Sequence, residues 1–526
     1  MLNFLKLNEL RKHQIVIILT IGGIFCVINV LLFFSLTIDD AFISYRYAKI
    51  FIDHGIWNWN PNHHLVEAYT TFTHTILPVI PYALGISIPI FMKLFSLILL
   101  LLMMRRLKGI EDNLFRTIAL FVILVNPLFY IHAFAGIETI LFVYLIFDSS
   151  YLILFRFFDK NKTIFFFFLY QLLLPLTRPE GALFSMMNIL VLFFMVYTGK
   201  KSMKLKQFLY WFVGLAVIGV VYFVWRYQYF GKLFPNPFYF KTVIGSNQRA
   251  SFDFLFNNIK PNLIYIFIGV LCFLNLKDNR KYFFLLILPT LLICLGLYIR
   301  SNLLMNYANR FEFQIMIAFN LLMLFHQKRR PLYLTSIFLL IFLVFSTHVR
   351  SNINLINYYP RVYFAHQKIG EALSTYKDKG YILMVGDAGF TPFYADWNTV
   401  DYTGLANGDL ATGFFTTDYF IKNKPDVVIL NCSGPTAAQY HKGYNMEIVY
   451  NYISNHKDEY EQVAVNKWSG NHYLICFVRK QMTDFEPIKS LLAEIGKETY
   501  LRNEAFVISN PQFIKDVITQ KYLKTQ

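Results

Sequence analysis

Residues 36–74 read LTIDDAFISYRYAKIFIDHGIWNWNPNHHLVEAYTTFTH. They follow an apolar run, Ile15 to Ile38, that is too long for a signal-peptide core, lacks a small-residue cleavage site and is long enough to cross a bilayer. This span ends on two adjacent aspartates, Asp39 and Asp40. Arg46 follows two helical turns on, and Glu67 and Tyr69 stand behind a loop of Trp, Asn and His. One aspartate suffices to cap the helix that DDAFISYRYA predicts, so the pair reads as a functional group rather than as anchoring alone.

Composition sets the class around this stretch. Of 526 residues, 56% are hydrophobic, 18% aromatic and only 15% charged, with 56 Phe and a mean hydropathy of +0.43, which is outside the soluble globular range. Further apolar runs lie near 88–104, 117–134, 138–157, 163–177, 182–198, 208–229, 261–276, 282–299, 311–325 and 331–348, giving about eleven spans. The formal charge of +17 sits in short Lys/Arg clusters between these runs, so it reads as topological and predicts no nucleic-acid partner.

Residues 70–86, with Pro78 and Pro81, decide the orientation. If they do not cross, the clusters at Arg105–Lys108, Arg156–Lys162, Lys200–Lys206, Lys277–Lys281 and Lys328–Arg330 all share one side with the N-terminus. The positive-inside rule then predicts a multi-pass protein of the plasma (inner) membrane with a cytoplasmic N-terminus and an extracytoplasmic C-terminal part. The domains are residues 1–349, with a first extracytoplasmic loop at 39–87, and residues 350–526.

This topology gathers the unusual polar residues on the outer face: Asp39, Asp40, Glu67 and Tyr69; His132 and Glu138 in NPLFYIHAFAGIETILF; Arg178 and Glu180 in LPLTRPEGALF; Asn236 and Lys241 in YFGKLFPNPFYFKT; Arg310 and Glu312 in NYANRFEF. Such clustering points to an outward-facing site. Structural roles stand beside each functional one: a tight turn at RPEG, an N-terminal helix position for Glu138, an interfacial histidine at 132, mutual pairing of Arg310 with Glu312. Lys93 and Asp148 sit in apolar runs without evident partners. His63, His64 and His74 do not have metal-ligand spacing. Cys432 and Cys476 fall in the polar C-terminal part, where a disulfide is open to them.

Residues 39–74 resemble the first extracytoplasmic loop of GT-C glycosyltransferases, in the branch similar to the terminal β-arabinofuranosyltransferases of mycobacterial cell walls, whose pattern is roughly D-D-A-x-I-S-x-R-Y-A, N-P, V-E-G-Y-T. GIETILF, TRPEG and YFGKLFPNPFYFK resemble later motifs of that branch in order. GDAGFTPFYADWNTVDYTGLAN, residues 386–407, is similar to part of its C-terminal domain. Ala68 stands where Gly is usual. More distantly, the layout resembles lipid-linked aminoarabinose and mannose transferases.

The resemblance implies a GT-C-like polytopic fold and an inverting transfer of sugar from a polyprenyl-phosphate donor to a hydroxyl of a glycan, lipid or protein acceptor. It implies Asp39 as the general base, with Asp40 orienting substrate or a divalent metal ion; no other cofactor is expected. Arg178, Arg310 and, more weakly, Lys241 are the candidates for the donor phosphate, because guanidinium pairs with phosphate oxygens bidentately. Arg46, Glu67, Tyr69, His132, Glu138, Glu180 and Asn236 complete the expected substrate-binding set. A transporter or flippase of lipid-linked sugars is the alternative; it should place charge at mid-membrane and show repeat symmetry.

After Val349, YILMVGDAG, PDVVIL, EQVAV and YLICFVR predict strands of an α/β domain. The VGDAGF turn is too short for a dinucleotide fingerprint.

Overall fold

The computed structural model describes residues 12–245, 306–323 and 362–505, apart from 411–414 and a few scattered positions within them, together with Leu355 and Tyr358. The runs near 261–276, 282–299 and 331–348 and the 349/350 boundary lie outside the described residues.

The first apolar run forms α1 (Lys12–Phe33), and the aspartate pair opens α2 (Asp39–His54). Residues 70–86 hold two five-residue helices, α3 (Phe72–Ile76) and α4 (Val79–Ala83), each far too short to cross a bilayer. α5 (Ile88–Leu107) follows. The 117–134 run is broken into α6 (Asn113–Val125) and α7 (Pro127–Phe134), bent by 51°. The break falls there because Pro127 has no N–H to continue the ladder, while Asn126 Oδ1 caps the new helix by accepting from Leu128 N at 3.0 Å.

α8 (Thr139–Phe155) is buried on every side from Thr139 to Leu154 and forms the axis of the bundle. Against it pack α9 (Asn161–Thr177), α10 (Gly181–Tyr197) and α13 (Arg310–Met323), while α11 (Leu205–Phe230) packs on α9 and α10, and α12 (Asn236–Gly245) follows it in the chain. Among the described residues α1, α5 and α11 are long and apolar enough to span a membrane, and the bent α6–α7 pair makes a fourth if it is one span. α11 buries only Phe208, Arg226 and Phe230 and exposes Val213, Val217, Val220 and Phe223, the surface of a helix that faces lipid. Eight of the eleven expected spans fall on described residues; three or four of these are of full length, with α8, α9 and α10 at 17 residues each.

The C-terminal part is a mixed α/β domain. α14 (Lys368–Leu373) leads into β1 (Ile382–Val385), α15 (Phe390–Ala395), β2 (Asn398–Asp401), α16 (Thr417–Asn423) and β3 (Val427–Cys432). α17 (Met446–Asn455), β4 (Tyr460–Ser469), β5 (His472–Arg479) and α18 (Phe485–Ala505) complete it. The sheet order is β2-β1-β3-β5-β4, parallel across β2, β1 and β3 and antiparallel beyond. Alternate residues build two cores. Leu383, Val427 and Val478 face Leu373 and Leu492; Met384, Val428 and Ile475 face Phe420 and Val449.

Four strands stand where sequence predicts them. β2 (NTVD) is too short and polar to predict. The open Cys432–Cys476 disulfide is corrected. Both thiols are free and buried. Cys432 pairs in register with Tyr473 and Cys476 with Ile429, three positions apart along the ladder, so the two side chains point to opposite faces of the sheet.

Candidate active site at the junction of bundle and sheet domain

α2 is the beam that joins the two parts. Phe42 stacks against Phe390 with centroids 4.0 Å apart, and Asn60 exchanges two hydrogen bonds with the backbone of Thr399, at 2.7 and 3.2 Å. The N-cap of α2 is Ile38, with no side-chain cap, so Asp39 does not cap its own helix. Its carboxylate reaches across instead and accepts from Phe390 N at 2.8 Å and Gly389 N at 3.1 Å, closing the N-terminus of α15. Gly389 is required for this approach: a Cβ there would sit 2.5 Å from the Asp39 carboxyl carbon.

Asp387, two residues before Gly389, lies just past the carboxyl end of β1, between the parallel neighbours β2 and β3, where α/β sheets open a crevice. His366 Nε2 and Asp387 Oδ2 are 2.9 Å apart, and the His366 ring packs edge-on against Trp468. Burial, then the charge of Asp387, push the half-buried Asp39 up to about 7, against the opposing pull of His366 and the Phe390 N–H. Asp387 itself is held below the ordinary carboxylate range; burial works against its charge, and the hydrogen bond and charge of His366 outweigh it.

A second cluster lies on the bundle side. Glu138, at the head of α8, receives Arg178 Nη1 and Arg310 Nη2 on one carboxylate oxygen, both at 2.5 Å, and Arg178 Nε also meets Glu180 at 2.7 Å. Tyr307 feels the charges of Arg310, Glu138, Asp40 and Arg178, which places Asp40 toward this hub. Tyr45 on α2 donates to Gly136 O at 2.7 Å, two residues before Glu138. Ala308 and Asn309 adopt φ of 49° and 52°, an unfavourable left-handed turn for residues with a Cβ. That turn delivers Ala308 O to His132 Nε2 at 3.2 Å. Buried Arg310 Nε, Asn309 Nδ2, Tyr307 Oη and His132 Nδ1 have no hydrogen-bond partner among the described residues.

Several expected substrate-binding residues take part in holding the frame. Buried Arg46 donates from Nε to Trp59 O (2.7 Å), from Nη1 to Pro392 O, and from Nη2 to Trp397 O (2.7 Å) and Asn60 Oδ1 (3.0 Å). Four of the five guanidinium donors are thereby used. Glu67 pairs with Arg226 at 2.6 Å and Tyr69 accepts from Trp57 Nε1 at 2.8 Å. Asn236 Nδ2 donates to Gly404 O and Leu405 O of the sheet domain, at 2.9 and 2.7 Å. The side chains of Lys241 and Glu312 lie outside the described residues. The two unexplained charges find partners: Lys93 donates to Phe34 O at 2.6 Å, and Asp148 receives Arg106 at 2.6 and 3.1 Å.

Among the described residues no group of three or more His, Cys, Asp or Glu side chains is placed to hold a metal ion. His366 and Asp387 escaped the sequence reading, although the GDAG turn leaving a strand marked the place.

A family model described as a domain of unknown function, DUF8728, matches residues 354–477, the sheet domain through most of β5. No curated protein matches the chain.

Proposed function

We propose that the protein is a polytopic, GT-C-like membrane glycosyltransferase of about eleven spans, with its N-terminus cytoplasmic and its sheet domain extracytoplasmic. It moves a sugar from a polyprenyl-phosphate donor to an acceptor hydroxyl with inversion. The observation that carries this reading is Asp39: a carboxylate poised near neutrality, beside the crevice at the end of β1, a few residues beyond a spanning helix.

In the proposed reaction the acceptor hydroxyl gives its proton to Asp39 as its oxygen attacks the anomeric carbon. The bond from that carbon to the phosphate oxygen breaks in the same step, so polyprenyl phosphate leaves with the electron pair and needs no strong acid to protonate it. Asp387 keeps the affinity of Asp39 for a proton high, and His366 holds Asp387 in place. The unsatisfied donors around Arg310 suit the phosphate oxyanion. Arg310 is therefore the first choice for the phosphate, with Arg178, already shared between Glu138 and Glu180, steering it.

The test is to incubate the purified full-length protein with a panel of labelled pentosyl and hexosyl polyprenyl phosphates and an envelope extract as acceptor. Consumption of one donor with release of polyprenyl phosphate is expected. Asp39→Asn should slow it about 10²- to 10⁴-fold at matched amounts of folded protein. A fully active Asp39→Asn overturns the base, and passage of a donor across a proteoliposome without its consumption identifies a transporter instead.

A further inference from the structure

At the other end of α8, a 17-residue rise of about 25 Å from Glu138, the bundle carries a groove of about 790 Å³ that the transfer site does not use. It lies between α5, α8 and α9. Among the described residues five cations line it, Arg105, Arg106, Arg156, Lys160 and Lys162, and none of the lining residues is acidic.

The cations are set in place rather than scattered. Arg106 is fixed by the fully buried Asp148, and its guanidinium lies 5.0 Å from the Tyr151 ring centre, while that of Arg156 lies 5.5 Å from the same ring. Two guanidinium groups thus flank one aromatic side chain. Tyr144 and Tyr170 hydroxyls meet at 3.2 Å on the groove wall. Among the described residues Asp148 is paired with one of these five cations, so the groove suits a ligand that carries negative charge on oxygens.

The walls indicate where that ligand comes from. Leu102, Leu152, Phe155 and Phe166 line the same groove, and α5 continues from it with exposed Ile98 and Leu101, on a helix long and apolar enough to span a membrane. A polar, cationic end joined to an apolar face matches a phosphate headgroup carrying acyl chains, and does not match a freely soluble anion. We propose that this groove binds the phosphate headgroup of an anionic phospholipid, with its acyl chains along the α5 face.

The proposal is independent of the transferase reading. Its test uses the full-length protein in a neutral detergent, titrated with phosphatidylglycerol, with phosphatidylcholine and with inorganic phosphate or ADP, and followed by thermal melting. Arg156→Gln/Lys162→Gln is the variant, since both side chains are exposed and Asp148 keeps its Arg106 partner. Phosphatidylglycerol should raise the melting temperature of the parent protein while phosphatidylcholine and the soluble anions do not. The variant, melting at the parent temperature without lipid, should need about 30-fold more phosphatidylglycerol, at roughly a factor of five per cation removed. An unchanged requirement in the variant, or equal stabilisation by phosphatidylcholine, overturns the groove. Equal stabilisation by ADP or phosphate overturns the lipid and leaves a soluble anion as ligand. If the variant melts lower without lipid, native mass spectrometry of the parent decides: co-purified anionic phospholipid supports the proposal and its absence overturns it.

Discussion

A single carboxylate, Asp39, does two things at once: it bonds the first turn of α15 and feels the charge of Asp387 just past β1. Gly389 makes both possible. Gly389→Ala should push Asp39 off the Gly389 and Phe390 N–H groups, lowering the melting temperature and reducing transfer together. A variant with parent melting and parent rate would show that the approach is dispensable. The charge of Asp387 is separable from this packing. Because Asp39 is raised to about 7, it is protonated below that pH and cannot accept a proton, so the acid limb of kcat/KM should have its midpoint near 7. Asp387→Asn removes the neighbouring negative charge, so the limb should move to lower pH; an unmoved limb sinks the coupling. Stability has the opposite sign. A raised folded value favours the fold below the ordinary carboxylate range, and that contribution is lost as pH rises through about 7.

At the scale of elements, the turn before α13 carries backbone strain, and the hub explains why it persists. Ala308 adopts φ 49° and ψ 34°, which costs roughly 1–2 kcal/mol for an L-residue, yet it places the Arg310 side chain against Glu138 and the Ala308 carbonyl against His132. Ala308→Gly should retain activity with melting unchanged or slightly raised. Ala308→Val, β-branched in a left-handed position, should lose more than half the transfer rate and melt earlier. If both variants behave alike, the left-handed turn is not what positions Arg310. The same scale adds a role for Arg46 that sequence does not show. Its spacing from Asp39 on α2 suggests a substrate cation, and the helix turns it toward the carbonyls of Pro392 and Trp397, more than three hundred residues away in the chain.

For the whole molecule the expectation is topological. If residues 70–86 do not cross, residues 350–526 lie outside the cytoplasm, and a phosphatase fused at the C-terminus should be active in cells while a cytoplasmic reporter at the same point stays silent. The reverse pattern would turn the Asp39 face inward and end the proposed use of an extracytoplasmic acceptor. The two five-residue helices at 72–83 agree with a segment that stays on one side. The opposed placement of the Glu138 hub and the basic groove on α8 gives the molecule two chemically distinct ends, one with carboxylates and unsatisfied donors and one with excess positive charge.

Sequence alone determined the membrane class, the helices at eight of the apolar runs and four of five strands, and it singled out Asp39, Glu138, Arg178 and Arg310 as unusual polar residues. Hydropathy, strand alternation and charge clustering are properties of neighbouring residues, so they are legible without the fold. Tertiary structure alone decided which charges meet. Glu138 joins Arg178 and Arg310 across 40 and 172 positions, and Asp39 reaches Gly389 and Phe390 across 350 and 351. It also turned Arg46 and Asn236 into ties between bundle and sheet domain, paired Glu67 with Arg226, and brought His366 and Asp387 beside Asp39. A side chain's chemistry is set by the burial and charge around it, and those come from segments that only packing brings together.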